Sequence, residues 1–202
     1  MSIDQILALT LFAFAGTFTP GPNNAIATVT GANFGFRAAV PHMFGVPVGF
    51  ASMLLAAAGG AAAIVLAFPL AAQVLKWAGV AYLMWLALLL ARSTQAGPAQ
   101  LSGPFKLPLT FMQSAAFQYL NPKAWMLSVA TAGAFFAGEA PLLWGALAAL
   151  IFGLAAIGSI VVWASVGAAL RSWLLQGQRL RFFNITMGLL LAATALWMAY
   201  MQ

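Results

Sequence analysis

The sequence is nearly without charge. Of its 202 residues 2 are Asp or Glu and 8 are Lys or Arg, while 64% are hydrophobic, and a soluble domain of this size could not hide that much apolar surface from water. The composition excludes a soluble fold and leaves an integral membrane protein. Cysteine is absent, which removes disulfides, thiolate metal sites and thiol catalysis, and with them any redox clue to compartment. With 1 histidine and no acid deep within an apolar run, there is no metal-ligand set and no implied cofactor. An intramembrane enzyme has little to work with either: Ser114 or Ser128 beside Lys123 is the formal remainder, and nothing orients that pair. The net charge of +6 is spread singly between apolar runs, not clustered with stacking aromatics, so no nucleic-acid partner is expected. The first residues, "MSIDQILALTLFAFAG", carry Asp4 where a signal peptide needs basic residues, and read as retained.

What the sequence does contain is six apolar runs of membrane-spanning length, about 20 residues or more each: Ile3 to Thr30, Val40 to Phe68, Leu70 to Ala91, Pro108 to Phe136, Leu142 to Leu170 and Phe182 to Met201. The lipid bilayer is thus the first expected partner. Turn formers and charges separate the runs, among them "GANFGFR", "RSTQAGPAQLSGPFK", "AGEAP" and "RSWLLQGQRLR". Arg37, Arg92, Lys106, Arg171, Arg179 and Arg181 all fall in the odd loops, while Asp4 and Glu139 fall on the other side. Basic residues accumulate on the cytoplasmic side, which places the odd loops inside and both termini outside. Lys76 is the exception and is expected to snorkel to the headgroups. Trp77, Trp144, Trp173, Trp197 and Tyr200 stand near run ends, as interfacial anchors do.

Three crossings in 1–91, a polar cytoplasmic linker in 92–107 and three more crossings in 108–202 define two halves. An odd number of crossings per half makes the second inverted relative to the first, a transporter architecture. The predicted fold is therefore an all-α membrane protein of six transmembrane helices in two inverted three-helix repeats. Its first and fourth helices are broken near mid-membrane, by "TPGPNN" at Thr19 to Asn24 and by "LNPK" at Leu120 to Lys123.

Proline removes a backbone donor and crowds the preceding turn, so Pro20, Pro22 and Pro122 free the carbonyls of Gly16, Phe18 and Gln118. Irregular backbone at this depth survives only when packed in protein or lining a wet cavity. Gly21 before Pro22 and Asn121 before Pro122 also look like caps of new helix segments, whose exposed amides and dipoles suit an anion such as a carboxylate. Lys123 lies about 21 Å from either end of its run at 1.5 Å per residue, beyond a lysine's reach to the interface. A bound substrate is the expected counter-charge, the alternative being carbonyls freed by proline. Asn23 and Asn24 either orient a polar solute or cap loose backbone. Gln113, Gln118 and Tyr119 either extend that polar lining or join helices. His42 is the one side chain that ordinarily titrates near neutrality, which makes it the proton-coupling candidate; otherwise it faces headgroups or a carbonyl. Gly45, Gly49, Gly145, Gly153, Gly158 and Gly167 permit close helix approach, and Pro47 is expected to kink its helix.

"TPGPNN", "GFR" at Gly35 to Arg37, Gly45 and Gly49, "WAGVAYLMWLA" at Trp77 to Ala87, "NPKAW" at Asn121 to Trp125 and Gly188 in "FFNITMGLLL" together resemble the lysine exporter and homoserine/threonine resistance superfamily of amino-acid exporters. The asparagine pair and "WAGVAY" look most like its cysteine and O-acetylserine branch. The resemblance covers essentially the whole chain. It implies a bacterial inner-membrane carrier that moves small amino acids outward, uses the proton gradient and works as a homodimer, with Pro20, Gly21, Pro22, Asn121, Pro122 and Lys123 as the matching functional positions. The chain departs from the pattern at Asn23, where many members carry an acid, and at Ala87, near which a common glycine is missing. Without a buried Asp or Glu, a neutral zwitterion is favoured over a basic amino acid, which stays as the alternative substrate. A non-transporting scaffold subunit is the alternative of another class, and it leaves the paired breaks without a purpose.

Overall fold

The computed structural model describes residues 2–60, 69–93, 107–136 and 141–200. Lys106, Glu139, the far end of the second apolar run and most of the linker lie outside the described residues. Among the described residues every regular element is helical.

Helix α1, Ile3–Phe18, starts at a capping box in which Ser2 and Gln5 satisfy each other's backbone amides. It stops where Pro20 and Pro22 withdraw two donors, and α2, Pro22–Phe34, sets off at 51° to it. Gly35, at φ +87°, ends α2 in a conformation that a side chain would resist. A short 3-10 turn, Phe36–Ala39, leads into α3, Val40–Ala58, and α4 follows at Pro69–Arg92. The second break has the same layout. α5, Phe111–Phe117, opens on a Thr110–Gln113 capping box and passes through a 3-10 turn, Gln118–Leu120; α6, Pro122–Phe135, begins under an Asn121 cap. α7, Pro141–Leu174, and α8, Arg179–Tyr200, complete the chain.

Helix α7 is the spine, touching α1, α2 and α3, while α4 packs on α8 and α3 packs on α5 and α6. Phe152 of α7 is fully buried and meets Phe50 of α3 edge-on at 5.1 Å between ring centroids. Leu83, Leu86 and Leu90 of α4 meet Ile26, Val29 and Leu191 in a second core. Missing side chains set the closest approaches. A Cβ on Gly31 would lie 2.9 Å from the Ala168 nitrogen, one on Gly167 3.0 Å from the Ala32 nitrogen, and one on Gly49 2.7 Å from the Ala115 Cα. α2 is thereby pressed on α7, and α3 on α5.

Three helices, Phe36–Ala58, Pro141–Leu174 and Arg179–Tyr200, are each long and apolar enough to cross a bilayer, and the bent pair α1 and α2 meets the same test when taken together, as a broken span or a re-entrant loop. The outward faces match, since Leu11, Phe44, Leu154 and Leu189 are each more than half exposed, surface that lipid covers and water would not tolerate.

Two expectations change. "RSWLLQGQRLR" is mostly helix, leaving four residues, 175–178, outside α7 and α8. Hydropathy marks where lipid ends, and α7, about 51 Å long for its 34 residues, outruns the lipid core. Leu107, assigned to the polar linker, is buried beside Leu109, so the last linker residue belongs to the core.

Candidate functional site

The carbonyls freed by proline all find partners, and the identity of those partners builds the site. At the first break the Asn24 amide nitrogen donates to Thr17 O and Thr19 O, at 2.9 Å each. Ser159 of α7 donates to Thr17 O at 2.8 Å and to Asn24 Oδ1 at 3.2 Å. The Trp163 indole approaches Phe18 O at 3.4 Å, and the Thr19 hydroxyl turns back to Ala15 O at 2.9 Å and Gly16 O at 3.3 Å. At the second break Asn121 Oδ1 accepts the Lys123 amide at 3.1 Å, Gln118 O accepts the Asn121 amide at 3.1 Å, and the Trp125 indole donates to Tyr119 O at 2.8 Å. Such full accounting is what makes broken backbone tolerable without bulk water.

Two contacts tie the breaks to each other. The Lys123 ammonium, from the first turn of α6, donates to Thr19 O at 2.6 Å and Thr19 Oγ1 at 2.8 Å, and comes within 3.5 Å of Pro20 O. Its stem lies over Gly21, where an added Cβ would be 3.0 Å from Lys123 Cδ; this is why that position has no side chain. Asn23 and Gln118 exchange amide hydrogen bonds at 2.9 and 3.2 Å, and Gln118 also donates to Ser114 O at 2.9 Å. The two asparagines therefore divide the roles that the sequence left open: Asn24 caps loose backbone, and Asn23 faces the other break.

Between the breaks is a cavity of about 50 Å³, largely apolar in its walls but with several polar groups and one cation. Gly21, Asn23, Gln118, Lys123 and Ser159 line it, with Phe50 among the apolar walls. It has room for a few waters, less than an amino acid needs. Gly21 gives α2 no side-chain cap, so the first turn of that helix offers amides and a positive dipole end to an anion. A larger cavity of about 270 Å³ lies on the other side of Pro20 and Gly21, against Trp163, Met187 and Leu191. The hydroxyls that line it, Thr28 and Thr194, already donate to Asn24 O and Leu190 O, and the smaller, charged cavity is the better candidate site.

His42 is buried at 1% exposure, away from any headgroup position. Its Nε2 lies 3.2 Å from Asn23 O and its Nδ1 2.9 Å from Ser114 Oγ. A carbonyl only accepts, so Nε2 carries the hydrogen and the neutral ring takes the Ser114 proton at Nδ1. Pro20, Pro22 and Pro122 act by terminating helices. Gln113 caps α5, and the Tyr119 hydroxyl joins Ser52 of α3 at 2.7 Å. The sequence reading gave no role in the site to Thr19, Ser159 or Trp163, and none to Ser114 beyond a formal pairing with Lys123. The signal for Trp163 and Trp125 was their mid-run position, where an indole N–H must find an acceptor.

Helices long and apolar enough to cross a membrane, with two helix breaks meeting at a cation-bearing cavity, fit a multi-pass membrane translocator. Residues 14–202 match the model of the LysE type translocator family, and the chain belongs to that family; it is a transporter, not an enzyme. The resemblance carried by "TPGP" and "NPK" is thereby borne out. Over 202 residues the chain is 31% identical to the cysteine/O-acetylserine efflux protein of Escherichia coli (strain K12), covering 99% of this chain and 100% of that relative. It is similar to the same extent to the protein of that name from Shigella sonnei (strain Ss046). No solved structure matches it.

Proposed function

We propose that this protein is a secondary transporter exporting small neutral amino acids or related metabolites across the bacterial inner membrane, with the substrate carboxylate held near the midplane by Lys123 and the two helix breaks. The observation that carries the reading is the Lys123 ammonium of the second break resting on Thr19 of the first. Carbonyl and hydroxyl dipoles are weak partners for a half-buried cation, and a carboxylate is a stronger one. An arriving substrate displaces Thr19, pairs its carboxylate with Lys123 and the amides of α2, and leaves Thr19 O and Pro20 O to accept its ammonium. The cavity has to widen for this, and the space behind Pro20 and Gly21 gives that wall room to retreat.

Three further points support the reading. The efflux of cysteine and O-acetylserine named for the relatives extends to this chain as a substrate class. Among the described residues no carboxylate lines the cavity, which disfavours basic amino acids. The packing of α1 on α7 has a counterpart in α5 on α3, as two inverted halves, 1–91 and 108–202, require. In this reading both termini are periplasmic, the linker is cytoplasmic and the carrier is a homodimer. The test is efflux of labelled neutral amino acids from proteoliposomes of the purified protein. Saturable flux above that of protein-free liposomes is expected; flux no greater than theirs rejects the reading in favour of a scaffold.

A further inference from the structure

His42 does not line the cavity. Its hydrogen bonds lead to two residues that do, Asn23 and Gln118, which form a reciprocal amide pair. Nε2 donates to the backbone carbonyl of Asn23, while Nδ1 accepts from Ser114, whose own carbonyl accepts from the Gln118 amide. The result is a closed ring of four residues, from α2, α3, α5 and the 3-10 turn, spanning both breaks.

The two partners of the imidazole differ in kind. Asn23 O can only accept, so it fixes one N–H in either charge state. The Ser114 hydroxyl can donate or accept. When a proton from water bonds to the Nδ1 lone pair, the ring becomes an imidazolium, and the Ser114 hydroxyl turns to accept the new N–H. Its own hydrogen swings to the carbonyl one turn back in α5, that of Thr110, the usual acceptor for a helical serine. One proton enters, no bond to carbon changes, and every donor keeps an acceptor. Few buried histidine sites suit both charge states without repacking.

We propose that His42 and Ser114 form the proton-accepting pair of this exporter, acting as positioning residues on the substrate site through Asn23 and Gln118. The proposal rests on the export reading above. Access provides the coupling. A cavity of about 50 Å³ has to widen to admit an amino acid, and retreat of the Pro20–Gly21 wall carries Asn23, in the first turn of the same helix, away from Gln118 and from the ring. One movement thus exposes the imidazole to protons and the site to substrate. Around His42, α2 and α5 bring no titratable side chain. The neighbouring elements bring Lys123 on α6, Tyr119 on the 3-10 turn, Arg37 on the entry turn and Arg171 on α7, and among the described residues none of these bonds to the ring.

The experiment compares two fluxes in proteoliposomes of the full-length protein: exchange of labelled for unlabelled substrate with no pH gradient, and net flux driven by an imposed gradient. His42→Gln keeps an amide donor and acceptor but cannot titrate; Ser114→Ala removes the partner that reverses. In each variant exchange is expected to fall by no more than about threefold while stimulation by the gradient disappears. Gradient stimulation that survives in either variant overturns the proposal, as does loss of exchange together with stimulation in a folded variant, which would make the ring part of the binding site itself. Failure of exchange in the unaltered protein would instead reject the export reading. A second measurement needs no variant. His42 is the chain's sole histidine, so isotope-labelled histidine gives one NMR titration. Reciprocal linkage requires substrate to move its midpoint, by about one pH unit for a tenfold coupling. A midpoint unmoved by saturating substrate overturns the proposal.

Discussion

Replacing Lys123 with methionine removes the ammonium and keeps most of the stem. In the empty protein the change costs two charge-assisted hydrogen bonds to Thr19, about 1.5–3 kcal/mol each. It also relieves the desolvation of a half-buried cation, up to about 2.5–3.5 kcal/mol on insertion scales. The two nearly cancel, so Lys123→Met is expected to fold and to melt within a few degrees of the parent. Substrate binding has no such offset. A carboxylate left without its buried cation loses about 2–5 kcal/mol, which raises KM by about 30-fold to about 4,000-fold. Thr19→Val pulls the other way. Thr19 Oγ1 competes with substrate for the ammonium, and removing that acceptor weakens the empty state alone, by about 1.5 kcal/mol, so KM is expected to fall by about tenfold. Exchange rates against substrate concentration in proteoliposomes read both. A Lys123→Met protein whose KM stays within threefold of the parent, or a Thr19→Val protein whose KM rises as steeply as that of Lys123→Met, would refute the competition between Thr19 and carboxylate.

Two predictions concern the frame around the site. Asn33 and Asn184, both fully buried, exchange amide hydrogen bonds at 3.0 and 3.3 Å between α2 and α8. Either one changed to Leu strands its partner and is expected to cost about 1–3 kcal/mol, while the double change costs less than the sum of the two; thermal melts in detergent measure the difference, and additivity would show that the pair is not coupled. Gly49→Val drives a side chain into Ala115 of α5 and is expected to destabilise by about 1–3 kcal/mol. The same melt tests it, and an unchanged midpoint would mean that α3 and α5 are not locked there.

Proline-broken helices are legible in sequence because the cost of a missing donor in lipid is large and local: Pro20, Pro22 and Pro122 announce themselves without any knowledge of the rest of the chain. Lys123 is legible for a similar reason, since its depth follows from counting residues. What satisfies the freed groups is another matter. Ser159 reaches Thr17 across 142 residues of chain, Trp163 reaches Phe18 across 145, and Lys123 reaches Thr19 across 104. A serine in an apolar run reads as ordinary helix glue until its neighbour is known. Arg171 to Arg181 misled in the opposite direction, because charge marks the edge of lipid while α7 continues to Leu174.

The partners of the first break fall into two kinds, and the distinction bears on mechanism. Thr17 O and Phe18 O are held by Ser159 and Trp163 of α7, side chains with nothing better to bind and no reason to let go. Pro20 O, and Thr19 O in addition to its bond from Asn24, are held by Lys123, a cation that gains by exchanging a carbonyl for a carboxylate. One side of the break is thus anchored to the spine of the fold, and the other is free to change partner. A long uncharged donor at position 123, such as a glutamine, could offer an N–H to the same carbonyls, but no solute would have an electrostatic reason to displace it. The excess cost of carrying an ammonium to that depth makes sense when something with a negative charge arrives there, turn after turn, and leaves.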